Sequence, residues 1–131
     1  MKLLLDTHVA LWAVANDRSL SKAARSLIAD PGNDIFVSVA SLWEIGIKHA
    51  LKRKGAGAMR VSSTQAHKYF TSAGYLLLPI TSDHACAVEA LPALHSDPFD
   101  RMLVAQAKTE PLRLVTHDND VVAYDPGFVL V

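Results

Sequence analysis

The sequence predicts an α/β fold in which a parallel sheet is covered by helices on both faces. Short apolar runs alternate with segments whose apolar residues follow helical spacing. Four acids, Asp6, Glu44, Asp100 and Asp118, fall where the chain leaves a strand or enters the helix after one. The carboxyl ends of parallel strands are where such sheets bind ligands. With 131 residues, 50% of them hydrophobic, residues 1–131 suffice for a single domain whose core needs neither disulfides nor a structural metal.

The first strand is Lys2–Leu5, an apolar run that stops at Asp6. A helix follows from about His8 to Ala15; it is apolar on nearly every face, Trp12 included, which predicts burial. Leu20, Ala23, Ala24, Leu27 and Ile28 then keep helical spacing until Asp30-Pro31-Gly32 stops it. Ile35–Val39 is the second strand, and a helix from Ala40 to Leu51 carries Trp43, Glu44 and Ile47. It gives way to the stretch from Lys54 to Ala58, where a mobile loop is expected. Ser62 and Ser63 cap the next helix, which has Ala66, Tyr69, Phe70 and Ala73 on one face and Gly74 as terminator. Tyr75–Leu78 is the third strand, and Thr81 or Ser82 opens a helix through Leu91. Asp97-Pro98 reads as an N-cap followed by proline at the first helical position of a helix ending near Glu110-Pro111. Arg113–Val115 is the fourth strand, a turn follows over residues 116–120, and Phe128–Val131 adds a final strand. There are no repeats or low-complexity tracts.

Formal net charge is +0, yet no acid occurs between Glu44 and Asp83, whereas Lys48, Lys52, Arg53, Lys54, Arg60 and Lys68 do. A basic band beside an acidic site suits a polyanionic substrate; alone it is equally a solvated surface. The single cysteine, Cys86, sits in an apolar helical stretch and is expected in the core of a protein from a reducing compartment. The start MKLLLDTH is too short for a signal peptide or for the ~20 apolar residues of a membrane span, so a cytoplasmic protein without membrane contact is expected. The six histidines show no metal-ligand spacing, which disfavours zinc, and the glycines form neither a Walker A loop nor a dinucleotide fingerprint.

Two carboxylates ~4 Å apart repel by about 4 kcal/mol at an effective dielectric of ~20, so several in one pocket hold either a proton or a metal. Oxygen ligation suits Mg²⁺ or Mn²⁺. Each acid also has a simpler use. Asp6 can cap the helix after it. Glu44 can form an exposed ion pair with Lys48 four residues on. Asp118 and Asp120 are ordinary turn formers. Asp97 reads as structural, and Asp100 as the better ligand, because Ala105 and Ala107 let its helix approach the sheet. His8 and His117 adjoin candidate ligands, which does not by itself make either a base.

Taken in order, LLLDTH, SLWEIGIK, DPFDRMLVAQA and LVTHDND resemble the PIN-domain family, and among its members the VapC-type toxin ribonucleases. The resemblance spans nearly the whole chain. It implies an α/β/α sandwich with a central, mostly parallel sheet of four to five strands, and a Mg²⁺- or Mn²⁺-dependent endoribonuclease. It further implies a homodimer held inactive by a cognate VapB-type antitoxin. Carried over by motif, the catalytic acids are Asp6, Glu44, Asp100 and Asp118, with Asp6, Asp100 and Asp118 holding metal. Thr116 supports the cluster, and Asp120 falls at an acidic position that varies in the family. Lys48, Lys52, Arg53 and Lys54 are expected to guide RNA, preferably single-stranded or looped. Trp12 and Trp43 are candidates for an antitoxin groove, although core packing is the expected place of both.

Two other classes compete. A haloacid-dehalogenase-like phosphatase needs a second Asp where this chain has His8, and a receiver domain needs an acidic pair before its phosphorylated strand. A non-catalytic binding module would use the acids only as caps and ion pairs, and would show no saturable site for a divalent ion.

Overall fold

Strands β1 (Lys2–Leu5), β2 (Asp34–Ser38), β3 (Leu76–Leu78), β4 (Arg113–Thr116) and β5 (Val129–Leu130) form one five-stranded sheet in the order β3-β2-β1-β4-β5. The computed structural model describes residues 1–131, the side chain of Ala56 excepted. Every strand pair is parallel, where a mostly parallel sheet was expected. In register, Leu5 faces Val37 on one side and Val115 on the other. The three leucines of β1 are fully buried, as a central strand covered on both faces requires.

Alternation along β1 divides the core. Leu3 and Leu5 join Val37 and side chains of α1 (Thr7–Ala15), α2 (Lys22–Ala29), α3 (Val39–Ala50) and α4 (Ser63–Ser72), among them Val9, Ala24, Ile45 and Phe70. Leu4 joins Leu114 and side chains of α6 (Pro98–Thr109) and α7 (Asn119–Val122), among them Leu103, Val104 and Val121. The remaining helix, α5 (Ser82–Glu89), packs on α6. These are the two outer layers of an α/β/α sandwich.

The predicted stop and start signals hold. Ser62 and Gln65 form a capping box for α4, Thr81 and His84 one for α5, and Asp97 caps α6 with Pro98 in its first turn. Gly74 follows α4 at φ +83°, a left-handed conformation that favours glycine. Val39, read as the end of a strand, is the first residue of α3, because the Ser38 hydroxyl accepts the Ala40 N–H at 3.0 Å and starts the helix there. The turn after β4 closes into the short α7, and Gly55–Gly57 makes a 3-10 turn where a mobile loop was expected.

Burial differs from expectation on several helix faces. Cys86 is exposed, not core: α5 buries His84, and two residues at ~3.6 per turn carry Cys86 to the other face. Trp43 is 61% exposed, because α3 turns Ala40, Ser41, Glu44 and Ile45 inward; its ring packs edge-on against Phe99, with centroids 5.1 Å apart. Trp12 is only partly buried, at the rim of the core. In α1 itself Thr7, Val9 and Ala10 are buried while His8 is exposed, and in α4 Ala66 and Phe70 are buried while Tyr69, like the C-cap residue Ala73, is exposed. Fully buried His84 contacts the Glu110 carboxylate through Nε2 and accepts the Thr81 N–H on Nδ1 at 3.0 Å, tying α5 to the end of α6. Among the described residues no helix is long and apolar enough to cross a membrane.

Phe70→Ala is expected to destabilise the protein by about 3–5 kcal/mol in denaturant unfolding. Cys86→Ser should fall within about 0.5 kcal/mol of wild type, and a multi-kcal loss would contradict its surface position.

Candidate functional site

The chain order reverses between β1 and β4, and the first acid stands at that crevice. The Asp6 N–H donates to the Val115 carbonyl at 3.0 Å, extending the strand pairing by one residue. Its Oδ1 accepts the Val9 N–H at 3.0 Å as the cap of α1, and its Oδ2 accepts the Thr116 hydroxyl at 2.6 Å. The Thr116 oxygen accepts the Asp118 N–H at 3.0 Å, so one threonine at the end of β4 fixes both Asp6 and the turn bearing Asp118.

Glu44 comes from α3 and is 4% exposed, so the reading of an exposed surface ion pair is corrected. Its Oε1 accepts the Thr7 hydroxyl at 2.6 Å and its Oε2 lies 2.5 Å from Lys48 Nζ. Thr7 Oγ1 is also 2.9 Å from Ser41 Oγ. Burial of Glu44 follows from α3 packing against α1, which sets Thr7 over it.

Asp100 is in the first turn of α6. Asp97 has the structural role expected of it: its Oδ1 accepts the Phe99 and Asp100 N–H groups at 2.8 and 3.1 Å. Between them and β4 lies a residue that sequence reasoning left unassigned. His95 Nε2 is 3.0 Å from Asp118 Oδ2 and 3.2 Å from Asp100 Oδ2. Its Nδ1 accepts the Asp97 N–H at 3.0 Å, so the ring proton is assigned to Nε2, which donates to the two acids. The loop carrying His95 is stapled by Arg101, which donates to the carbonyls of Val88, Pro92 and His95 and to the Tyr124 hydroxyl. That hydroxyl accepts the His95 N–H at 3.0 Å. No local pattern announces His95; its position two residues before the DPFD run was the one available signal.

Asp6, Glu44, Lys48, Asp100, Asp118 and Asp120 all line one cleft of about 770 Å³, together with His95 and Asp97. Thr116 is buried behind it. Lys52, Arg53 and Lys54 are exposed and do not line it. Burial, reinforced by the charge of Asp97, pushes the Asp100 carboxyl up to about 7; His95 opposes this, and Glu44 and Asp6 add to it. Burial also acts on Asp118, but the His95 hydrogen bond and the Asp120 N–H outweigh it and hold this carboxyl below its usual range. For His95, burial is outweighed by the Asp118 hydrogen bond and the charges of Asp100, Asp118 and Asp97, which raise its proton affinity.

His95, Asp100 and Asp118 each offer a donor atom, all within 4.8 Å of one another. Asp6 and Glu44 share the cleft but lie outside this tight trio. The donor set is dominated by carboxylate oxygen, and burial together with the repulsion of Asp97, Glu44 and Asp6 raises Asp100 to about 7. A divalent cation would relieve that repulsion, so the residues fit a hard metal ion.

The PIN domain model matches residues 3–125. No curated protein sequence matches the chain significantly. Among solved structures, the chain is similar to one in VapBC2 from Rickettsia felis bound to a promoter DNA fragment, with TM-score 0.68, 16% identity and coverage of 100% of this chain and 98% of that one. It is also similar to a chain of a toxin-antitoxin complex from Klebsiella pneumoniae, with TM-score 0.63, 21% identity and coverage of 97% and 95%. DNA-bound VapBC from Salmonella typhimurium gives TM-score 0.65, 18% identity and coverage of 100% and 97%. With its acids gathered at the sheet's reversal point and the family model spanning nearly its whole length, the chain belongs to the PIN-domain family.

Proposed function

We propose that this protein is a Mg²⁺- or Mn²⁺-dependent endoribonuclease, the toxin of a toxin-antitoxin pair. The observation that carries this reading is the gathering of Asp6, Glu44, Asp100 and Asp118 in one cleft of a PIN-domain chain. Asp6, Asp100 and Asp118 are the metal-holding residues. The chemistry supplied by a bound ion there is activation of water and neutralisation of charge at the phosphate and the leaving oxygen. Glu44, fixed by Thr7 and Lys48, orients the attacking water, while Thr116 keeps Asp6 Oδ2 aimed. Asp120, at the cleft wall, adds to the negative field. Lys48, with Lys52, Arg53 and Lys54 beyond the cleft, attracts the phosphates on either side of the cut. The partners are RNA as substrate and, by likeness to VapBC complexes, a VapB-type antitoxin; the proposed setting is the cytoplasm, and the proposed assembly a homodimer.

One observation favours a second reading as a binding module: Asp6, Asp97 and Asp118 all cap helices, and Glu44 is paired. A saturable divalent-ion site with metal-dependent RNA cleavage decides against it. The phosphatase reading is weakened by His8, which is exposed where a second catalytic Asp would stand.

Asp100→Asn is expected to abolish metal-dependent cleavage of cellular RNA in a folded protein, and Asp6→Asn to do the same at some cost in stability. Unchanged cleavage by either variant removes its assigned role. The raised Asp100 proton affinity gives a separate signature in chelator. The native state binds a proton more readily than the unfolded chain, so this group's contribution to stability falls as pH rises from its unfolded value of 3.8 to about 7. His95, also raised, acts in the same direction. Asp100→Asn should therefore melt higher than wild type above pH ~7 and lose that advantage toward pH ~4, while excess Mg²⁺ or Mn²⁺ raises the wild-type melting temperature alone. Replacing Lys52, Arg53 and Lys54 by Ala should lower the slope of log affinity against log salt by about 2 on single-stranded RNA, measured by filter binding. An unaltered slope removes these residues from the RNA path.

A further inference from the structure

The acidic cleft has a second chemical character that metal binding and phosphate attraction leave unused. It takes its carboxylates from the end of β1, from α3, from α6 and from the turn after β4, but besides His95 it is also lined by three further aromatic rings: His8 and Trp12 of α1 and His117 just beyond β4. Trp12 and His117 meet edge to face, with centroids 5.2 Å apart and planes at 81°, and His8 lies 6.1 Å from Trp12 at 34°. The wall is held in place from behind. Trp12 packs against the core, and His117 is tied by its Nδ1 to the Val131 main-chain oxygen at 2.9 Å and by its N–H toward Asp6 Oδ2 at 3.4 Å. Since a main-chain oxygen only accepts, Nδ1 of a neutral His117 carries the proton and Nε2 keeps its lone pair.

The geometry points to a nucleobase subsite on this wall: the unpaired base next to the scissile phosphate stacks on the His8–Trp12 surface and donates an N–H to His117 Nε2. The inference rests on the nuclease reading and names what that site recognises beside the phosphate. A base is uncharged, so the negative field of the cleft does not repel it, and its flat face needs an apolar plate already in position. Every base offers a π-face and an N–H donor, so the subsite demands an unpaired nucleotide without selecting one base. Stacking of this kind changes affinity by about 5- to 150-fold on alanine substitution. The cleft, at about 770 Å³, lies within the size range of ligand clefts and has room for more than a phosphate.

The test uses single-stranded oligoribonucleotides carrying an abasic ribose at each position flanking the mapped cut, with wild type, Trp12→Ala, Trp12→Phe and His117→Ala. In wild type, one abasic position should raise KM about tenfold; that penalty should shrink to less than twofold in Trp12→Ala and persist in Trp12→Phe, since phenylalanine still offers a ring. Independently of cleavage, oligonucleotide binding should quench the fluorescence of Trp12 in a Trp43→Phe background. Metal-dependent cleavage that is equally efficient for every abasic substrate overturns the subsite and leaves the nuclease reading standing. Absence of cleavage by folded protein overturns the nuclease reading, and the quenching then decides the subsite alone: quenching relieved by the abasic substitution supports it, and no quenching overturns it. Should Trp12→Ala fail to fold, the abasic series on wild type and His117→Ala separates the same two outcomes.

Discussion

The hydrogen bond from the Thr116 hydroxyl to the Asp6 carboxylate joins residues 110 positions apart in the chain, and the candidate site is organised around it. It exists because β1 and β4 are neighbours in a sheet whose strand order reverses between them. At such a point the connections leave toward opposite faces, and a crevice opens at the carboxyl ends of the two strands. Asp6 is the first residue beyond one strand and Thr116 the last of the other, so the sheet itself sets polar groups at the base of the crevice, and the loop bearing His95 and the turn bearing Asp118 add to its wall. The acids from α3 and α6 complete the ring because each of these helices packs on a face of the same sheet.

Structural and chemical uses of the acids coincide at these positions. Asp6 gives one oxygen to the backbone of α1 and the other to Thr116; Asp118 gives one to the Asp120 N–H and the other to His95. A carboxylate cap contributes on the order of 1 kcal/mol, which offsets part of the repulsion that gathering the acids creates. The remainder of that repulsion falls on Asp100, the acid that burial and the charges around it drive furthest from its ordinary state. Orientation is thereby fixed before any ligand arrives. Fixed orientation of this kind makes charged groups effective in a site, since nothing need reorganise during reaction.

The strand and helix order, the caps at Ser62, Thr81 and Asp97 and the terminator Gly74 were legible because each is a local signal carried by a few adjacent residues. The sites of Asp6, Glu44, Asp100 and Asp118 were legible as positions at strand ends and through the family resemblance, and the fold brings all four to one cleft. Burial on helices rich in apolar residues was less so. In α3 both the inner residues Ala40 and Ile45 and the outer residues Trp43 and Ile47 are apolar, so hydrophobicity does not say which face turns inward. The same ambiguity misplaced Cys86 and Tyr69. His95 was hidden for another reason: its ring is aimed by a loop whose shape depends on Arg101 and Tyr124, residues that reach it only through space.

Strand lengths carry a consequence for the behaviour of the molecule in a crowded solution. The outermost strands are the shortest, with three residues in β3 and two in β5, while the longer, leucine-rich β1 lies between two neighbours. A sheet grows by recruiting foreign backbone along an open border, and here each border offers only a few free amide and carbonyl groups. Of the two leucine runs, β1 is sealed in the middle, and β3, which stands at a border, is only three residues long, so the fold leaves little backbone for polymerisation to start from.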